Sequence, residues 1–304
     1  MDLNKGIYLF KFLMAILVVV IHTTSWKMWG LTGTAVPYFF IASGFFLFRK
    51  TDGKPQNEKL SILGKWIWKA LMLYLIWSLV YLPFAAYNYI QEGLPFAKAI
   101  VHYLRNLAFV GENFMSWPLW FLLAMVWAGA LIWIMTKLRI PLWAMFGIGA
   151  LLAISKHLID FESIPLYTKI FRDTRNGIFI GLLYPTTGGL LQRIQWKGHP
   201  LLWAAASLAM LAGLHFSDWF LWPLTVALFL LSKELRFTWM SENAGKALGS
   251  FSKTVYLVHM LFAGTLILFA QVPKPSTGLF LMTLALSIAT AAIVYFKPCR
   301  KSQS

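Results

Sequence analysis

Long apolar runs separated by short polar connections dominate this chain. Runs of about 15 to 20 apolar residues predict helices that cross a lipid bilayer, because lipid offers no partner for unpaired backbone groups. The alternating pattern of a membrane β-barrel does not occur. The predicted spans are ten in number, at 6–25, 33–48, 70–90, 117–136, 140–155, 177–192, 200–214, 219–232, 254–271 and 277–296.

The composition agrees with this interpretation. Hydrophobic residues make up 59% of the chain and charged residues 12%, with a mean hydropathy of +0.66. A soluble domain carries roughly twice that charge. We therefore expect an all-α, polytopic transmembrane bundle of about ten spans, forming a single membrane domain over residues 1–304. No cleavage site follows the first run, which predicts a retained span rather than a signal peptide.

The basic residues predict the orientation of the spans. The formal net charge is +16, but the cations lie between apolar runs rather than on one soluble face, so we expect no nucleic-acid partner. If the N-terminus is cytoplasmic, ten spans place most of the 27 Lys and Arg residues inside, notably in the loops 49–69 and 233–253. Both termini are therefore predicted to be cytoplasmic.

Lys11 and His22 are two ionisable residues within the first apolar run. Such residues are costly inside a membrane span and are functional candidates for that reason. Their spacing is close to three helical turns, so the side chains point the same way, about 16 Å apart along the helix axis. The charge distribution places Lys11 towards the cytoplasm and His22 towards the outside.

Each of these residues has two interpretations. Lys11 either extends its amine to the interface or binds an exogenous anion, since no Asp or Glu lies within the apolar runs. Lys65 and Lys69, one turn apart at the start of the third run, could complete such an anion site. His22 and His259 are either packing residues or neutral general bases beside a hydroxyl.

Several kinds of chemistry lack support. The absence of carboxylates from the runs argues against a carboxylate proton relay and against the paired acids of glycosidases. The sequence has no HExxH motif, no CxxC pair and no Walker A loop. We therefore expect no metal site and no nucleoside-triphosphate site.

Five segments resemble one known family in their order and spacing. They are Lys11 with His22, VPYFFIASGFF at 36–46, WFL at 120–122, TRNGIF at 174–179 and YLVH at 256–259. Over nearly its whole length the chain resembles the acyltransferase 3 family of bacterial membrane O-acyltransferases. Lys11 stands where that family usually has Arg, and Lys lacks the planar, bidentate fork of Arg.

The resemblance implies an activity. Members of the family move an acyl group, commonly acetyl, from cytoplasmic acetyl-CoA to a hydroxyl of a cell-envelope glycan or lipid-linked sugar. The expected partners are therefore acyl-CoA as co-substrate, membrane lipid and an envelope acceptor, with no bound cofactor. The expected location is the bacterial cytoplasmic (inner) membrane, with multiple spans.

The resemblance also suggests residue roles. His22 is the expected catalytic residue, with Lys11 as its partner in the motif. Whether His22 deprotonates the acceptor directly or forms a transient acyl-enzyme stays open. The candidate acyl-CoA-binding residues are Lys65, Lys69, Ser43 and Trp120. The candidates for the acceptor or for oxyanion charge are Arg172, Arg175, Tyr256 and His259.

Other interpretations stay open. The chain also resembles the membrane portions of certain membrane-bound serine racemases, but it lacks their soluble catalytic domain, so racemase activity is not implied. The main alternative is a transporter or flippase for an envelope lipid or small metabolite, which the basic inner loops and broken helices allow. A non-catalytic assembly subunit is a third class, although it gives Lys11 and His22 no reason to share a face.

Overall fold

The computed structural model describes residues 5–26, 28–172, 174, 178–194 and 199–296, which form helices and no strands. The α-helices are α1 (Lys5–Thr23), α2 (Ala35–Thr51), α3 (Gln56–Gln91), α4 (Phe96–Arg105), α5 (Trp120–Lys137), α6 (Leu142–Leu158), α7 (Pro165–Phe171), α8 (Leu183–Arg193), α9 (Pro200–Gly213), α10 (Leu221–Glu234), α11 (Glu242–Leu268) and α12 (Thr277–Phe296). The predicted all-α class is confirmed.

Six helical segments among the described residues are long and apolar enough to cross a membrane, which makes this a multi-pass membrane protein. They are Lys5–Thr23, Gly30–Thr51, Gln56–Gln91, Trp117–Lys137, Glu242–Leu268 and Thr277–Phe296. Shorter apolar helices cover Leu142–Leu158 and Pro200–Gly213. The count of ten spans and the cytoplasmic placement of both termini stay predictions.

Two helices extend well beyond the apolar runs that marked them. The third run was expected to begin at position 70, whereas α3 begins at Gln56. The ninth was expected to begin at 254, whereas α11 begins at Glu242, where the Ser241 hydroxyl accepts a hydrogen bond from the Ala244 backbone N–H at 3.1 Å. Hydropathy detects only the apolar part of a helix, so polar turns that continue it were predicted as loops.

The chain divides into two compact units. The terminal unit contains Met1–Ala35 and Gly198–Ser304, and the central unit contains Val36–Lys197. The terminal unit is therefore built from both ends of the sequence. The single membrane domain over residues 1–304 stays a prediction.

In the terminal unit, α1 and α11 lie side by side and run in the same direction. The backbone oxygen of Lys11 accepts a hydrogen bond from the Ser252 hydroxyl at 2.9 Å. Next to this contact, the rings of Phe12 and Phe251 lie 6.4 Å apart between centroids. The neighbouring α12 runs the opposite way, since its Tyr295 hydroxyl donates to the Asn243 carbonyl at 3.3 Å, near the start of α11.

In the central unit, α2 and α8 cross at very short range. A Cβ atom at Gly44 would collide with the backbone oxygen of Pro185, and one at Gly188 would collide with that of Ile41. Only a residue without a side chain lets the two backbones approach so closely. A hydrophobic cluster adjoins this crossing and includes Leu47, Phe48, Leu63, Ile132, Met135, Leu142, Met145 and Leu182.

Candidate active site

The seam between α1 and α11 brings four of the predicted site residues into the terminal unit. Lys11 and His22 come from α1, and Tyr256 and His259 come from α11. Because the two helices run parallel, Lys11 lies beside the Ser252 level of α11 and His22 lies beside the His259 level. The sequence predicted Lys11, His22 and His259 as ionisable residues inside apolar runs, and the spacing placed the α1 pair on one face. Tyr256 came from the resemblance of YLVH to the family.

Lys11 occupies an environment poor in counter-charge. Its amine lies 5.7 Å from the centroid of the Tyr8 ring, a cation–π distance. The like charge of Lys253, next to Ser252 on α11, opposes it. Among the described residues no carboxylate forms an ion pair with Lys11. A partly buried cation beside a second cation favours the binding of an anion from outside the chain.

Lys253 is a member of this site that the sequence reasoning missed. It precedes the ninth apolar run by one position and was therefore assigned to the loop 233–253. The structure places it inside α11, which begins at Glu242. The available signal was its spacing, since Lys253 and Tyr256 are three positions apart and three positions bring side chains to neighbouring places on a helix.

His22 faces a second imidazole across the seam. The ring centroids of His22 and His259 are 5.5 Å apart, and the ring planes are inclined by 31°. His22 is partly exposed, whereas His259 is fully buried. The ring of Tyr256 lies 6.2 Å from that of His259 and is also buried. The partly exposed His22 ring thus lies next to the buried ring of His259.

Backbone hydrogen bonds hold the His259 ring in place. Its Nδ1 lies 2.8 Å from the Tyr256 carbonyl oxygen and 3.1 Å from that of Val255. Since a carbonyl oxygen only accepts, Nδ1 must carry the proton and donate it. The neutral ring then has its lone pair on Nε2, an atom that is buried and has no hydrogen-bond partner among the described residues.

The other described candidates lie in the central unit. Lys65 and Lys69 are exposed on α3, inside the helix rather than at its start. Ser43 is partly exposed next to the close crossing at Gly44. Trp120, the first residue of α5, lies 6.4 Å from the Phe40 ring between centroids. The predicted acyl-CoA roles of these four residues stay predictions.

Arg172 forms an ion pair that the sequence did not predict. Its guanidinium pairs with the carboxylate of Glu112, whose side chain is 7% exposed, while that of Arg172 is 45% exposed. The partners are 60 positions apart, so no local pattern signals the contact. Arg175, the other arginine expected to bind the acceptor or oxyanion, lies outside the described residues.

Comparison with known proteins gives the relationships of the chain. Residues 4–296 match the family described as an acyltransferase domain. The chain is 28% identical to an amino-acid racemase of Enterococcus faecalis, over 62% of this chain and 28% of that protein. It is 28% identical to a serine/alanine racemase of Enterococcus gallinarum, over 86% of this chain and 41% of that protein.

The chain therefore spans less than half the length of either of these relatives. No solved structure matches it. The family match covers the seam that holds Lys11, His22 and His259, together with nearly all of the remaining chain. On that coverage, the chain belongs to the acyltransferase 3 family of membrane proteins.

Proposed function

We propose that this protein is a membrane O-acyltransferase that uses acyl-CoA, with His22 as the catalytic base. One observation carries the proposal. In the α1–α11 seam of the terminal unit, the His22 ring lies next to the buried His259 ring. On the same helix as His22, Lys11 forms no ion pair with any carboxylate of the described residues. A base and an anion site on one helix match what transfer from a phosphate-bearing thioester requires.

Lys11 is the proposed contact for an acyl-CoA phosphate. The compound carries several phosphate groups at one end and its thioester at the other. Lys11 and Lys253 together offer two cations to one anion, and binding it would relieve the repulsion between them. Lys65 and Lys69 remain candidates for the other phosphates on the basis of the sequence.

The distance along α1 suits an extended pantetheine arm. From Lys11 to His22 the helix rises about 16 Å. A phosphate held at the Lys11 level therefore allows the thioester to reach the His22 level. This arrangement connects a cytoplasmic donor to an acceptor near the other end of the helix, if Lys11 is on the cytoplasmic side as predicted.

The proposed reaction is direct transfer. A ring nitrogen of His22 takes the proton of the acceptor hydroxyl as its oxygen attacks the thioester carbonyl. A C–O bond forms, the C–S bond breaks, and the departing CoA thiolate takes the proton from His22. Tyr256 is a candidate donor to the developing oxyanion. A transient acyl-enzyme is the alternative route, with water excluded until the acceptor arrives.

The proposed acceptor is a hydroxyl of a cell-envelope glycan or a lipid-linked sugar, and acetyl is the proposed acyl group. The proposed setting is the bacterial cytoplasmic membrane, with lipid around the apolar helices. The support is the family membership and the multi-pass fold. The racemase names belong to longer proteins, of which the chain matches a part.

The test is acyl transfer by purified protein, measured as CoA release and as label transferred from labelled acetyl-CoA to envelope-lipid extract. The wild-type protein should release CoA in proportion to acceptor labelled. His22→Ala should lower turnover by about 10²- to 10⁴-fold, the usual contribution of a general base.

His215→Ala is the matched control, because His215 is an exposed histidine of the same unit, beyond the end of α9. It should keep full turnover. A correctly folded His22→Ala variant with wild-type turnover would remove His22 from the mechanism. Exchange of a substrate across vesicles without CoA release would instead identify the carrier class.

A further inference from the structure

One ring nitrogen of His259 has no hydrogen-bond partner in the part of the chain that the structure describes. A buried acceptor without a hydrogen bond is unfavourable, and such groups in native proteins call for an explanation. His259 is 0% exposed, and its Nε2 has no partner among the described residues. Both backbone contacts of the ring fall on Nδ1, so they fix the direction of Nε2 without satisfying it.

His22 is the neighbouring group that can supply a donor. A neutral imidazole has one N–H and one lone pair, so His22 can donate from one nitrogen and accept at the other. An in-line N–H···N hydrogen bond between two imidazoles corresponds to ring centroids about 5.2 Å apart, from ordinary hydrogen-bond lengths. The observed 5.5 Å is longer by a few tenths of an ångström. Catalytic hydrogen bonds commonly tighten by such amounts when substrate binds.

We propose that His259 is a positioning residue that accepts a hydrogen bond from His22 and so fixes which nitrogen of His22 acts as the base. The inference rests on the proposed function. With one N–H of His22 directed at Nε2 of His259, the lone pair of His22 must lie on the other nitrogen. His22 is the partly exposed member of the pair, so its ring is the one that an acceptor hydroxyl can approach.

The pair performs the task that a carboxylate performs behind the histidine of a catalytic triad. After His22 has taken the proton of the acceptor, the resulting imidazolium is stabilised by the lone pair of His259. The proton shared with His259 stays on His22, and the transferred proton leaves with the CoA thiolate. No carboxylate lies in the apolar part of α1 or α11.

A neutral acceptor suits this location. An ionised carboxylate in the same place would bring a buried charge into an apolar helix pair, which is far more costly than a neutral imidazole. His259 provides the acceptor without that charge, because its backbone contacts hold the proton on Nδ1.

Two substitutions separate positioning from packing. His259→Gln keeps an amide oxygen near the place of Nε2, whereas His259→Leu fills a similar volume without an acceptor. We expect His259→Leu to lower kcat at least 100-fold while KM for acetyl-CoA changes less than about threefold. The kcat of His259→Gln should be at least tenfold higher than that of His259→Leu, because Gln restores an acceptor for the His22 N–H.

Thr283→Val is the control for removing a buried polar atom from the same unit. The Thr283 hydroxyl on α12 is buried and also lacks a partner among the described residues. This variant should keep wild-type kcat. Equal kcat for the Leu and Gln variants of His259, at equal thermal stability, would overturn the positioning role. An inactive wild-type protein would instead contradict the proposed function.

A second measurement does not depend on activity or on the folding of a variant. Wild-type protein labelled with ¹⁵N-histidine has only six histidines to assign. With a non-reactive acetyl-CoA analogue bound, we expect a ¹⁵N–¹⁵N coupling through the hydrogen bond between His22 and Nε2 of His259. Resolved signals from both rings without that coupling would overturn the inference.

Discussion

At the scale of single residues, the two ends of the α1–α11 seam differ in charge: one end carries two lysines and the other carries two imidazoles. At one end, Lys11 and Lys253 are two like charges for which no carboxylate of the described chain compensates. At the other end, His22 and His259 are imidazoles with no counter-charge in either helix at that level. In the proposed function, anion binding and proton transfer are therefore separated along one helix.

Because Lys11 stands where the family usually has Arg, substitutions at this position should change KM for acetyl-CoA. Lys11→Ala should raise KM for acetyl-CoA by about 10- to 100-fold, because a hydrogen bond to a charged group contributes about 1.5–3 kcal/mol. Lys11→Arg should keep KM at or below the wild-type value, since guanidinium binds phosphate oxygens in a bidentate manner.

Initial rates over a range of acetyl-CoA concentrations measure this effect. Lys98→Ala, at an exposed lysine on α4 of the central unit, is the control and should leave KM unchanged. If Lys11→Ala keeps both the wild-type KM and the wild-type kcat, Lys11 does not bind the donor.

At the scale of helices, backbone-to-backbone packing in the central unit depends on glycine. Gly44 on α2 and Gly188 on α8 each face a backbone oxygen of the other helix at a distance that excludes a Cβ atom. Ser43 and the segment that resembles the family in α2 are held by this crossing. Gly44 and Gly188 therefore determine how closely α2 and α8 approach each other.

Gly44→Ala should destabilise the protein by about 1–3 kcal/mol, the usual cost of adding atoms to a packed interior. The matched control is Gly64→Ala on α3, where nothing lies within 4 Å of the added carbon. There the higher helix propensity of Ala should stabilise by about 0.5–1 kcal/mol. Thermal unfolding in detergent should therefore give opposite signs, and a Gly44→Ala variant as stable as wild type would contradict the close crossing.

The sequence predicted much of the site and less of its surroundings. Hydrophobic periodicity identified α1, and the spacing of Lys11 and His22 placed both on one face. The hydrophobic pattern did not predict the start of α11, because polar turns such as the one containing Lys253 leave no hydropathy signal. The contact of Glu112 with Arg172 depends on packing between distant segments, and the approach of His259 to His22 depends on the pairing of α1 with α11.

At the scale of the whole molecule, the course of the chain within the terminal unit constrains topology. Helices α1 and α11 are parallel, and α12 returns antiparallel, with the Ser276 backbone N–H donating to the Thr23 carbonyl at 3.1 Å. An odd number of membrane crossings must therefore lie between α1 and α11 along the chain. The predicted order, in which these are the first and ninth spans, has that parity.

Cysteine labelling tests the predicted orientation. The one natural cysteine is Cys299, so Cys299→Ser gives a background free of thiols. In that background, Asp218→Cys, in the turn between α9 and α10, should react with a membrane-impermeant maleimide on intact cells. Lys54→Cys, in the turn between α2 and α3, should react only after permeabilisation. The reverse pattern would place the N-terminus outside.

The division of the terminal unit between the two ends of the sequence has a consequence for biogenesis. Ser252 and the Lys11 carbonyl that it contacts are 241 positions apart. At translation rates of about 5–20 residues per second, α1 emerges from the ribosome roughly 12 to 48 seconds before this part of α11. During that interval the Lys11 carbonyl lacks the Ser252 hydroxyl that it accepts from in the folded protein. The terminal unit can therefore assemble only after nearly the whole chain has been synthesised.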